Sequence, residues 1–394
     1  MMLPEAISER ERLGQADATS ERPLGILHVV AGRLYGGVES YLATVARLAH
    51  LHPGLKHEFA VCYPGRMRDE LIAADAAVHA LGGVRMSRPW TVYGARRRLS
   101  DLIASKMFDA VVMHGCWPHA IFGPAVKRTG AKLVHVMHDN VAQPGWLDRY
   151  AARSAPDLIV ANSEFTAPGA SRLFRDAPME VCYYPVEASQ VAPAARAEVR
   201  RELGTPDDRI VILQASRLER WKGQSALIGA LGHLAREPRW ECWIAGGAQR
   251  PHEAVYLAEL RSAAAKLGVA DRVRFLGQRS DVRRLLASAD VFCQPNTGPE
   301  PFGIVFIEAL YAGLPVVTSD FGGGAEILSG GKGILVPPAD ETRLAEALSA
   351  LIVDDDRRKA LGAVGPARAA QLCDPIKHLQ QFERAIRRVV THGN

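Results

Sequence analysis

No run of eighteen apolar residues occurs in the 394-residue chain, so the sequence offers no transmembrane helix. The first residues are not expected to act as a secretory leader. Residues 1–23 are polar and charged (Ser8-Glu9-Arg10-Glu11-Arg12) where a leader would carry an apolar core, and they read as a mobile extension. Cysteine is sparse: Cys62, Cys116, Cys182, Cys242, Cys293 and Cys373 are scattered, with no two at metal-ligand spacing. That pattern predicts small buried hydrophobes in a reducing cytosol rather than a disulfide framework or a metal site. There is no internal repeat, no low-complexity segment and no nucleic-acid-binding motif. The acid run Asp354-Asp355-Asp356 falls between helical segments, where it reads as a solvated helix terminus.

What is present is ordinary globular material, 48% hydrophobic and 23% charged. The length exceeds what one core usually organises, which predicts two domains. Short apolar runs alternate with longer amphipathic stretches. The runs are Ile26–Val30, Phe59–Tyr63, Ala110–His114, Leu133–His138 and Leu158–Ala161, then Ile210–Gln214, Trp240–Ala245, Val273–Leu276, Val291–Gln294, Pro315–Thr318 and Ile334–Val336. Continuous runs of this kind suit strands buried on both faces of parallel sheets built from βαβ units. Two sets of runs predict two Rossmann-like α/β domains, over 24–190 and 191–375, followed by a terminal helix in 376–394. The boundary is expected between Pro185 and Arg201, a stretch without a clear core pattern. Net charge is only +5, but residues 32–128 hold thirteen Lys/Arg against seven Asp/Glu. Solvated helix faces account for such a surplus, and so does contact with anionic lipid headgroups or an anionic acceptor.

The chemistry concentrates around Glu300 and Glu308. Pro301 and Gly303 keep the first half of Glu300-Pro301-Phe302-Gly303-Ile304-Val305-Phe306-Ile307-Glu308 out of regular helix. The second half reads as a helix through Tyr311, with Glu308 about a turn inside. Two carboxylates flanking the electropositive helix start suit a ligand bearing both hydroxyls and phosphate, such as a nucleotide sugar. Arg217 and Lys222 follow the strand at Ile210, on the carboxyl edge where open α/β sheets bind ligands. Fixed cations there would stabilise a diphosphate gaining charge as it departs. Gly36-Gly37, after the first strand, lets backbone N–H groups approach a phosphate. His138 ends a first-domain strand and is expected to point into the cleft, with Asp139 beside it as a candidate for the acceptor. Asn162-Ser163, His114, Trp117 and Trp146 are weaker candidates near the cleft or the acceptor.

The segment from Glu300 through Ala309-Leu310-Tyr311-Ala312-Gly313-Leu314-Pro315-Val316-Val317 to Gly322-Gly323-Gly324-Ala325-Glu326 resembles the signature of retaining glycosyltransferases of the two-domain GT-B architecture, family 4 (glycosyl transferases group 1). The resemblance implies a nucleotide-sugar donor on the second domain, with Glu308 accepting from ribose hydroxyls and Glu300 meeting the transferred sugar. Backbone groups of Phe302, Gly303, Ile304 and Val305 would line the sugar and diphosphate. Gly36, Gly37, Gly246, Arg217 and Lys222 would stand near the nucleotide. His138 would hydrogen-bond a sugar hydroxyl or the backbone near the anomeric carbon. It further implies a terminal helix packed on the first domain, a front-face path aided by the donor's own phosphate, and neither cofactor nor metal. The acceptor stays open: a lipid-linked or polymeric glycan at the inner membrane face, with the basic first domain against anionic lipid, or a soluble small molecule. A sugar-nucleotide 2-epimerase and a silent nucleotide-sugar-binding protein are the other readings.

Overall fold

The computed structural model describes residues 22–33, 35–188, 191–192 and 194–391. The expected extension over 1–23 therefore lies outside the described residues as far as residue 21. The first sheet contains β1 (Leu24–Val30), β2 (Leu55–Val61), β3 (Ala77–Ala80), β4 (Ala110–His114), β5 (Lys132–Met137), β6 (Leu158–Ala161) and β7 (Met179–Val181). Their spatial order is β3-β2-β1-β4-β5-β6-β7, and every pairing is parallel. The second sheet contains β8 (Ile210–Ala215), β9 (Trp240–Ala245), β10 (Val273–Gly277), β11 (Val291–Gln294), β12 (Val316–Ser319) and β13 (Ile334–Val336). It too is parallel, in the order β10-β9-β8-β11-β12-β13.

Two Rossmann-like sheets are thus present, as the apolar runs imply. The edge strands β3 and β7 escape that reading. They span four and three residues and are partly exposed, so neither shows a continuous apolar run. The stretch expected to lack a core pattern contains a helix, Ala195–Glu202, that buries Val199 and Arg200. Arg200 is held by Asp290 at 2.6 Å and by the backbone carbonyl of Ser288. A helix docked through an arginine is invisible to an apolar-periodicity count. The last helix, Pro375–Thr391, follows the second sheet in sequence yet places Phe382, Ala385 and Ile386 in the core of the first, beside Leu24, Ile26 and Ala110.

In each sheet the winding reverses once, between β1 and β4 and between β8 and β11. The loops leaving these four strands meet where such folds form a ligand crevice. They carry Gly36, the Gly115–Cys116 turn, Arg217–Lys222 and Pro295–Gly303. The Ile304–Tyr311 helix is anchored by Phe306, Ile307, Ala309 and Leu310, all fully buried. Each large side chain among them contributes roughly 1.5–3 kcal/mol on burial, so the loop ahead of this helix rests on a rigid base.

Candidate functional site

The second-domain wall is built on close backbone approaches. Gly303 caps the Ile304–Tyr311 helix in the left-handed region at φ +97°, and a Cβ there would stand 2.4 Å from Phe306 Cδ2. A Cβ on Gly246, after β9, would meet the Ser216 carbonyl at 2.1 Å, so the β9 end presses directly on the turn that bears Arg217. Gln214 Nε2 donates to the Lys222 carbonyl at 2.7 Å and ties that turn to β8. Lys222 then lies with Nζ 4.1 Å from the Trp221 ring centroid and forms an ion pair with Glu300. Glu300 is only 8% exposed and also accepts from Gln294 Nε2 at 3.3 Å. Its carbonyl accepts from Gly323 N at 2.7 Å, which fastens the loop to the start of helix Gly322–Ile327.

Glu308 lies in the fifth position of its helix, beside Arg283 at 3.6 Å. Burial raises its carboxyl above the ordinary range, with Arg283 and Arg47 pulling the other way. Arg217 pairs with Glu219 at 3.1 Å and remains about a third exposed. Ile304 and Val305 are partly exposed at the helix start, whereas Phe302 turns its ring into the core.

The first-domain wall meets this surface. Gly36 is the N-cap of helix Gly37–Leu48, and Glu39 accepts from Gly36 N at 3.0 Å. A Cβ on Gly36 would lie 3.8 Å from Arg217 Nε, so the glycine loop and the arginine face each other across the cleft. Asp139 opens to solvent in the cleft. The surrounding walls still raise its carboxyl, while Arg217 opposes the shift and Glu300 adds to it. A cavity of about 380 Å³ continues from Asp139 to Gly115, Asn140, Gln143 and Asp148. Ser163 Oγ donates to the Pro301 carbonyl at 2.7 Å. Glu326 accepts from the backbone N–H groups of Glu164 and Phe165, both at 3.0 Å.

His138 lines the same cavity, with both ring nitrogens engaged. Its Nδ1 bonds the Tyr184 hydroxyl, and its Nε2 lies 2.9 Å from His114 Nδ1. Neither ring nitrogen is free for a sugar hydroxyl in this arrangement. Desolvation lowers the imidazole to about 3, so it stays neutral. His114, expected to face the acceptor, is 5% exposed and bonded on both sides by histidines.

The chain matches the glycosyl transferases group 1 family over residues 195–368 and Glycosyltransferase Family 4 over residues 35–190. It is also 31% identical over 358 residues to the GDP-mannose-dependent alpha-(1-6)-phosphatidylinositol monomannoside mannosyltransferase of Mycobacterium tuberculosis, covering 84% of this chain and 89% of that relative. The chain belongs to glycosyltransferase family 4. The lipopolysaccharide core biosynthesis mannosyltransferase LpsB of Rhizobium meliloti is similar too, 25% identical over 350 residues, with 88% and 93% of the two chains covered. Among solved structures, Anabaena HepE in complex with UDP and glucose superposes with a TM-score of 0.81 at 24% identity, covering 92% of this chain and 98% of that one.

In this glycosyltransferase the structure gathers Gly36, Asp139, Arg217, Lys222, Gly246 and Glu300 at one crevice, with Glu308 and Arg283 on the same helix-lined wall. Sequence reasoning passed over Trp221, Arg283, Glu39 and Tyr184. Trp221 and Glu39 adjoin residues already singled out and carried a signal. Arg283 and Tyr184 are remote in sequence from their partners and carried none.

Proposed function

We propose that the enzyme is a retaining hexosyltransferase that uses a GDP- or UDP-hexose and delivers the sugar to a hydroxyl on a lipid-borne or polymeric glycan. The Lys222–Glu300 pair carries this reading. A cation and a carboxylate that neutralise each other in the crevice exchange partners when the donor arrives. Lys222 and Arg217 take the diphosphate, and Glu300 is released to accept from hydroxyls of the sugar. Glu308 is suited to accept from ribose hydroxyls beside it. The sugar–phosphate bond breaks, the bond to the acceptor oxygen forms, and the acceptor proton passes to a departing phosphate oxygen. The charge developing on that phosphate is met by Arg217, Lys222 and the Gly37 amide, an electrostatic contribution made mainly in the transition state. No metal is invoked. The mannosyltransferase relatives favour GDP-mannose as the first donor to test.

The cavity at Gly115–Asp148 is polar enough to suit a hydroxylated headgroup. Among the described residues no helix is long and apolar enough to cross a membrane. A groove of about 520 Å³ is lined by Met86, Tyr93, Arg96, Arg97, Arg128 and Tyr150, with Trp90 exposed nearby. Arginines interleaved with exposed aromatics suit an anionic lipid surface, which supports peripheral work at the cytoplasmic membrane face. The reading is tested by incubating the enzyme with GDP-mannose or UDP-glucose, with and without lipid-linked acceptors. Nucleotide release that requires acceptor, with the donor's anomeric configuration kept in the product, is expected. Epimerised sugar nucleotide formed without acceptor would instead establish the 2-epimerase.

A further inference from the structure

Four histidines form a diagonal ladder through the first sheet. His57 on β2 pairs in register with Ile26, and His28 lies two residues further along β1. His28 pairs with Val112, and His114 lies two residues further along β4. His114 pairs with Val136, and His138 lies two residues beyond. Each step crosses one strand and advances one same-face position, so all four rings share a face and climb toward the cleft. They bond ring to ring: His57 Nδ1 to His28 Nε2 at 2.8 Å, His28 Nδ1 to His114 Nε2 at 2.9 Å, and His114 Nδ1 to His138 Nε2 at 2.9 Å. The rings stack at centroid spacings of 5.1, 5.1 and 5.2 Å.

A neutral imidazole has one donor and one acceptor nitrogen, so such a chain must run one way throughout. Its direction is set at the cleft end. Asn162 faces the Tyr184 oxygen at 3.0 Å and the His138 carbonyl at 3.5 Å with the same atom; a carbonyl only accepts, so that atom is the amide nitrogen, and Asn162 Oδ1 accepts from Thr166 Oγ1 at 2.8 Å on the other side. Tyr184 oxygen therefore accepts from Asn162, and its hydroxyl proton goes to His138 Nδ1. Each ring must then carry its proton on Nε2, ending at His57 Nε2, which meets no acceptor among the described residues. Tyr184 belongs to the crossover between the domains. Its ring stacks on Tyr41 at 4.5 Å and meets Phe302 edge-on at 5.2 Å. Phe302 lies between Glu300 and Gly303, in the donor loop.

Resting on the transferase reading, we propose that Tyr184 is a positioning residue of the reaction: the histidine ladder fixes its hydroxyl, and its ring fixes Phe302 and the loop that carries Glu300. The ladder is a rigid, uncharged prop in the first domain for a loop in the second.

The test has two arms. In the full chain labelled with ¹⁵N-histidine, nuclear magnetic resonance reads the tautomer of each ring. All four are expected to be protonated at Nε2, and Nδ1 protonation at any of them would overturn the ladder's direction. In the second arm, Tyr184→Phe keeps both ring contacts and removes only the hydroxyl, leaving His138 Nδ1 without its partner and Asn162 Nδ2 with only the His138 carbonyl at 3.5 Å. It is expected to lower kcat about tenfold while the Kd for nucleoside diphosphate moves less than twofold. His28→Phe, two rungs from the cleft, should lower kcat in the same sense by a smaller factor. A lowered melting temperature with unchanged kcat in both variants makes the ladder merely structural and overturns the proposal. A wild type that binds nucleoside diphosphate but transfers nothing removes the transferase reading, and Tyr184's role with it, while the tautomers still decide the ladder on their own.

Discussion

The two walls of the cleft solve opposite problems. The second-domain wall is charged: Lys222 with Glu300, Arg217 with Glu219 and Arg283 with Glu308 stand in or beside the crevice. The first-domain wall is neutral at its base, where His28, His57, His114 and His138 are kept uncharged by desolvation. A charged wall that is already paired can exchange its partners for a ligand's charges at little net cost. A neutral ladder has no charge to exchange, and each added proton breaks it. One wall is therefore built to respond to a ligand and the other to stay fixed. The Tyr183–Tyr184 crossover joins them, with Tyr183 donating to Glu326 at 2.6 Å.

Breaking the charged wall should have the largest effect. Lys222→Ala leaves Glu300 buried beside Gln294 alone and removes a cation from the diphosphate. Turnover should fall by roughly 10²–10³, measured as nucleotide release from the donor, with a cooperative melt retained. Unchanged turnover would take Lys222 out of the site. Gly303→Ala attacks the same wall through its backbone. The left-handed φ and the 2.4 Å approach to Phe306 should cost about 1–3 kcal/mol, read from urea denaturation.

The neutral wall should betray itself in acid. Burial depresses the folded imidazoles of His57 and His138 to about 3, while the unfolded chain titrates near its ordinary value of about 6.5. Below that value the unfolded state binds more protons, so stability is complete above about pH 6.5 and falls as pH drops toward 3. These two rings alone should remove about 3 kcal/mol by about pH 5.5, seen as a falling urea midpoint. A midpoint independent of pH from 7.5 to 5.5 would contradict the neutral ladder. The smallest expected effect is at the seam. Ser163→Ala deletes the hydrogen bond to the Pro301 carbonyl and the one accepted from Thr166 N, each worth about 1 kcal/mol, and should raise the donor KM a few-fold with kcat nearly kept.

The same contrast explains what could be read from the chain. Glu300 to Glu326 is contiguous, and its Pro, Gly and apolar spacing are enough to declare a loop and a buried helix. The central strands were legible because each is apolar on both faces, whereas β3 and β7 were not. The ladder is spread over positions 28, 57, 114 and 138, and only the parallel register joins them. Sequence reasoning accordingly singled out His138, with His114 as a weaker candidate, and gave each ring an outward role. In the structure both rings bond their neighbours, and His138 also lines the cleft cavity. Arg283 was hidden for a related reason, since its tie to Glu308 spans two helices.

The central claim is that the charged wall holds a nucleoside diphosphate sugar. Its most direct test is the thermal stability of the wild type and of Glu308→Ala against UDP, GDP, ADP and dTDP. At a hundred times its Kd one diphosphate should stabilise the wild type by about 2.7 kcal/mol, and Glu308→Ala should lose most of that gain. Absence of stabilisation by every nucleoside diphosphate, or an undiminished gain in the variant, would contradict the account.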